Sequence, residues 1–128
     1  MIHSSLDHRP LILASTSPFR RELLARLGLS FVAQAPTADE TPLANEDAPA
    51  LVARLAEVKA RSLAREHPGA LIIGSDQAAT LDGALIGKPG HHAQAAAQLR
   101  RASGRTVTFY TGLCLLDSAS DQRQTAVE

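Results

Sequence analysis

A chain of 128 residues, 45% hydrophobic and 20% charged, is long enough for one globular core, and that composition excludes a disordered chain. Thirteen basic residues balance thirteen acidic ones, so no net field favours nucleic acid or an anionic membrane, and any anion site has to be local. The single cysteine, Cys114, excludes a disulfide framework and fits a reducing, cytoplasmic setting, and no apolar run approaches the length of a membrane span.

Met1 to Pro10 lacks the apolar core of a secretion signal. Leu11-Ile12-Leu13-Ala14 then predicts a buried strand that feeds a loop. Ser17 is a good N-cap, Pro18 suits the first helical position, and Gly28 can end the helix, with Phe19, Leu23, Leu24 and Leu27 as its apolar face. Leu29 to Ala35 predicts a second strand, and Pro36 to Asp47, rich in Pro, Thr, Asp and Glu, a loop. From Ala48 to Glu66 the spacing of Leu51, Val52, Leu55, Val58 and Leu63 predicts a second helix, capped by Asp47 and stopped at His67-Pro68-Gly69.

Leu71-Ile72-Ile73-Gly74 reads as a central strand, followed by a hairpin in which Asp82-Gly83 joins Ala78–Leu81 to Ala84–Ile86. A third helix is predicted from His91 to Ala102, then a strand from Thr106 to Leu116 with Cys114 in the core, and a last strand from Arg123 to Glu128. The alternation predicts an α/β fold of one domain, residues 1–128, with a mixed central sheet flanked by helices.

Three segments suggest chemistry. Helix N-termini favour acidic side chains, yet Arg20 and Arg21 stand in this first turn, so an anion belongs there, cradled by free backbone N–H groups and the hydroxyls of Ser15 and Ser17; the alternative is two solvated arginines. Lys59 lies on the apolar stripe between Leu55 and Leu63 and needs an anion, unless it snorkels to the edge. Gly74-Ser75-Asp76-Gln77 puts Asp76 at the carboxyl end of a strand, where open α/β sheets assemble their sites. There it could orient a water as general base or bind Mg2+, against the alternative of a loop cap. Glu40 could add a second carboxylate if its loop folds over the sheet edge, and Lys88, in Gly87-Lys88-Pro89, adds a cation. His91 and His92 lack the spacing of a metal site, and no P-loop, G-x-G-x-x-G or G-x-S-x-G motif occurs.

Together, Leu13-Ala14-Ser15-Thr16-Ser17-Pro18-Phe19-Arg20-Arg21, Asp39-Glu40, Lys59, Gly74-Ser75-Asp76-Gln77, Gly87-Lys88-Pro89 and Thr108-Phe109-Tyr110-Thr111-Gly112 resemble the Maf family of nucleotide pyrophosphatases across nearly the whole chain. The resemblance implies a Maf/inosine-triphosphatase-like fold and cleavage of a nucleoside triphosphate between its α and β phosphates, assisted by Mg2+ or Mn2+. It implies Asp76 as proton acceptor, Glu40 and Asp76 near the metal, and Ser15, Ser17, Arg20, Arg21, Lys59 and Lys88 around the phosphates. Phe19 and Gln77 resemble the subgroup acting on 7-methyl-GTP rather than on dTTP and UTP, with Phe19 stacking on the cationic base unless it is core. The family's link to septum formation keeps a non-catalytic nucleotide-binding regulator as an alternative. Family members usually continue with further strands and a final helix, so the chain is expected to lack the C-terminal part. They are often dimeric, so a homodimer is expected too.

Overall fold

The computed structural model describes residues 9–86 and 106–128. β1 (Leu11–Ala14) is buried along its whole length, as an all-apolar run in a parallel sheet must be. It leads into α1 (Pro18–Arg26), where Ser17 Oγ accepts a hydrogen bond from Arg20 N at 3.3 Å and Pro18 needs no N–H partner. Gly28, at φ +77°, ends the helix in the left-handed region open to glycine. β2 (Val32–Gln34) follows, and then α2 (Ala48–Arg61), capped by Asp47 Oδ1 accepting from Ala50 N at 2.9 Å.

β3 (Leu71–Leu81) turns through Asp82 and Gly83, both at positive φ as an Asp-Gly hairpin demands, into β4 (Ala84–Ile86). β5 (Val107–Asp117) and β6 (Arg123–Val127) complete a sheet ordered β2-β1-β3-β5-β6, with β4 pairing β3. β2, β1 and β3 run parallel; β3 and β5 are antiparallel over the whole of both strands, from Leu71↔Asp117 to Leu81↔Val107. The sheet is therefore mixed, as expected.

α2 lies across one face of this sheet and closes the core. Ile12, Ile72, Cys114 and Leu116 meet Ala56, Ala60 and Leu63 there, and burying Ile72 or Leu116 completely contributes about 1.5–3 kcal/mol each. The helix sits unusually close to the strands. A Cβ on Gly74 would fall 2.0 Å from the Ala56 carbonyl oxygen, and one on Gly112 would fall 2.3 Å from that of Val52.

Four expectations need correction. The strand predicted to end at Gly74 runs on without a break through Ser75, Asp76 and Gln77 into the hairpin, because β5 supplies hydrogen-bond partners along its whole length. The second helix ends at Arg61 rather than Glu66: Ser62 Oγ donates back to the Lys59 carbonyl at 2.7 Å and accepts from Thr37 N, competing with further helical bonds. The second strand is confined to Val32–Gln34. Finally, the apolar face of α1 is not buried: the helix buries no residue, and Phe19, Leu23 and Leu27 are 67%, 45% and 70% exposed. Periodicity shows which residues share a face, not whether anything meets it. The predicted third helix and Gly87-Lys88-Pro89 lie outside the described residues.

Candidate active site

Parallel pairing between β1 and β3 stops at Ala14↔Gly74. Beyond it the chain leaves the sheet, Ser15 N turning back to the Leu13 carbonyl at 3.0 Å, and on that side β3 next pairs with a strand at Ala79, where its pairing with β4 begins. A cleft of about 330 Å3 opens at this fork, walled by Ser15, Ser17 and Arg20 on one side and by Lys59, Ser75 and Glu40 on the other. A more open hollow of about 610 Å3 lies at the other end of the sheet, but there Arg9 and Asp117 already neutralise each other at 2.5 Å.

The serine wall carries two hydroxyls fixed by the backbone of the loop and the helix start. Ser15 Oγ accepts from Ser17 N at 3.0 Å, and Ser17 Oγ accepts from Arg20 N. A hydroxyl that accepts from the backbone still has its own hydrogen to donate. Both serines thus present O–H groups beside the positive end of α1, whose first turn contains no acidic residue. Arg20 is partly buried at the cleft, whereas Arg21 is exposed and does not border it.

Opposite stands Lys59. The close seating of α2 on Gly74 brings its ammonium 2.8 Å from Asp76 Oδ1 and 3.2 Å from Glu40 Oε1. Lys59 and Asp76 side chains are only 11% and 5% exposed, so this is a buried ion pair and not a snorkelling lysine. Asp76 itself does not border the cleft; it is reached through Lys59. Its place differs from the expected strand end: it sits inside β3, opposite Gly112, but beyond the point where β1 departs, so it still flanks the fork. It does not cap a loop.

The loop that carries Glu40 is held onto α2 at both ends. Ser62 Oγ accepts from Thr37 N at 3.0 Å. Arg54 takes Glu46 through Nε at 2.6 Å and Nη2 at 3.0 Å, and Nη2 also donates to the Thr41 carbonyl at 3.1 Å. Glu46 and Arg54 stabilise each other's charged forms: hydrogen bonding to Arg54 lowers the carboxyl's pKa, and that to Glu46 raises the guanidinium's. The sequence did not single out Arg54, since its role depends on a loop returning to the helix; nor did it single out Ser75. The Ser75 hydroxyl is buried at the cleft wall without a hydrogen-bond partner among the described residues.

The specificity candidates are accessible. Phe19 is 67% exposed and so is not core, and Gln77, next to Asp76 on β3, is exposed as well. Lys88 lies outside the described residues. Among the described residues no group of three or more His, Cys, Asp or Glu side chains could hold a metal. Two carboxylates meeting at one ammonium do suit a hard cation of the Mg2+ kind, which is commonly held by one or two carboxylates and completed by substrate phosphates and water.

Residues 10–128 match the family model described as Maf-like protein. The chain is 57% identical over 118 residues to the 7-methyl-GTP pyrophosphatase of Nitrosococcus oceani, covering 92% of this chain and 59% of that protein. It is 55% identical over 123 residues to the protein of the same name from Cupriavidus metallidurans, covering 95% and 62%. The chain thus spans about three fifths of the length of these relatives. Among solved structures, a HAM1 protein from Coxiella burnetii superimposes with a TM-score of 0.61 at 19% identity, covering 93% of this chain and 69% of that one. A nucleoside-triphosphatase (dITP/XTP pyrophosphatase) from Mycobacterium abscessus does so with a TM-score of 0.58 at 17% identity, covering 93% and 70%. These likenesses show the shared fold.

Proposed function

The chain belongs to the Maf-like family, and on that premise we propose that it hydrolyses 7-methyl-GTP to 7-methyl-GMP and pyrophosphate. The observation that carries this reading is the opposition, across one cleft, of hydroxyl donors at a helix start and an ammonium backed by two carboxylates.

In this reading the phosphates enter the cleft against the O–H groups of Ser15 and Ser17 and the guanidinium of Arg20, with Arg21 and, as the family resemblance implies, Lys88 adding positive charge. Lys59 turns its ammonium towards the phosphates, and Asp76, whose Oδ1 it had held, becomes available to the attacking water. Asp76 accepts the proton as the water oxygen bonds to phosphorus, and the bridging P–O bond breaks towards the pyrophosphate leaving group. A divalent cation, Mg2+ or Mn2+, held by Glu40 and Asp76 would neutralise charge on the phosphate oxygens. Phe19, exposed beside Arg20, offers its ring face to the positively charged methylated guanine, and Gln77 offers a donor and an acceptor to the base edge. A cytoplasmic setting fits a chain with one free, buried cysteine and, among its described residues, no helix long and apolar enough to cross a membrane.

Pyrophosphate release from a panel of nucleotides with Mg2+ or Mn2+ tests the reading. Turnover of 7-methyl-GTP should exceed that of dTTP and UTP, and Asp76→Asn should lower kcat by about a hundredfold or more with nucleotide binding retained. Equal or faster turnover of dTTP would move the assignment to a dTTP/UTP pyrophosphatase. Nucleotide binding without metal-dependent turnover would instead make the chain a non-catalytic regulator.

A further inference from the structure

The carboxylate of Glu40 stands on a loop with neither helical nor strand structure, yet it reaches a buried ammonium on α2 at 3.2 Å. The helix and its C-cap hold this loop, Ser62 at the Thr37 end and Arg54 at the Thr41–Glu46 end, with Lys59 between them. The Arg54 end is the stronger tie. A guanidinium binding both oxygens of one carboxylate fixes direction as well as distance, and the same Nη2 captures the Thr41 carbonyl immediately after Glu40. Glu46 passes the restraint on, its Oε1 accepting from Leu43 N at 2.9 Å, while Asp39 Oδ1 accepts from Thr41 N at 3.0 Å. The Glu46 side chain is only 8% exposed and that of Arg54 29%, so water competes poorly for this pair.

We infer that Arg54 is a positioning residue for catalysis: by pinning Thr41 and Glu46 to α2 it holds Glu40 against Lys59 and Asp76. The inference rests on the pyrophosphatase reading for its functional consequence, but not for its structural one. Among the described residues Arg54 makes no hydrogen bond to Asp76 or Lys59; its charge attracts Asp76 through space, and the restraint it places on the loop acts in addition to that field. A carboxylate displaced by about 1 Å is enough to cost on the order of a hundredfold in rate.

The test pairs hydrogen exchange with a double-mutant cycle on the full chain. In Arg54→Ala the amides of Thr41 and Leu43 should exchange at least about tenfold faster, while those of Leu55 and Ala56 in α2 stay protected and so report an intact helix. Arg54→Ala should lower kcat/KM by about tenfold or more. In a Glu40→Gln background the same substitution should cost less than about twofold, because the group it positions is already gone. Arg54→Lys, which keeps the charge but not the fork, should recover part of the loss. Unchanged exchange at Thr41 and Leu43, or losses from Arg54→Ala and Glu40→Gln that simply multiply, would overturn the inference. If the unaltered chain hydrolyses no nucleotide, the pyrophosphatase reading and the catalytic role of Arg54 both fall, and the exchange arm separately decides whether the latch exists.

Discussion

At Lys59 one ammonium serves two carboxylates, and burial decides what removing it does. The pair with Asp76 is almost enclosed, at 11% and 5% side-chain exposure, so neither charge can be left to water. Lys59→Met keeps the length of the side chain but strands Asp76, and should cost about 3–5 kcal/mol of stability, read from denaturant unfolding at neutral pH. A loss below about 1 kcal/mol would place the pair in effective contact with solvent and weaken its role as a preorganised site. The sequence could flag Lys59 because its neighbours Leu55 and Leu63 define a buried stripe. It could not flag Arg54, whose partners Glu46 and Thr41 come from a loop with no periodic pattern.

Among the elements, α2 and β3 set the distances that matter. Their backbones meet at Gly74, where an added Cβ would lie 2.0 Å from one backbone atom and 2.8 Å from another. Gly74→Ala must therefore lift the helix. It should destabilise the chain by about 1–3 kcal/mol or more, and reduce turnover too by drawing Lys59 from Asp76. A melting temperature equal to that of the unaltered chain would show that α2 has slack. The caps of α1 and α2 were legible in the sequence because Ser17 and Asp47 act through hydrogen bonds a few residues away. The course of β3 was not. Gly-Ser-Asp-Gln carries the composition of a loop, and only pairing with β5, distant in sequence, keeps it extended. A non-local contact also stops α2 at Ser62, where the loop supplies a competing bond, and periodicity alone could not show that the apolar ridge of α1 is exposed.

For the molecule as a whole, the end of the sheet away from the cleft is held by Arg9. It grips Asp117 through both carboxylate oxygens and donates to the carbonyls of Gly69 and Ala70, joining the chain before β1, the entry to β3 and the end of β5. Hydrogen bonding from Arg9, helped by the amides of Ala119 and Ser120, holds the Asp117 carboxyl well below the usual carboxylate range. A lowered folded-state pKa contributes stability that is full above the unfolded value, near pH 4, and disappears as pH falls through the folded one. Arg9→Gln should thus lower the denaturant midpoint at neutral pH, with the gap to the unaltered chain narrowing in strong acid. A gap that stays constant with pH would assign the loss to the carbonyl contacts instead.

The tight seating of α2 on Gly74 and Gly112 also shapes how the chain tolerates change. Every other amino acid adds the carbon that neither position can admit, so a saturation library selected for activity should reject substitutions there almost as severely as at Asp76. Their intolerance would look like catalysis, although a glycine has no side-chain atom to offer a phosphate.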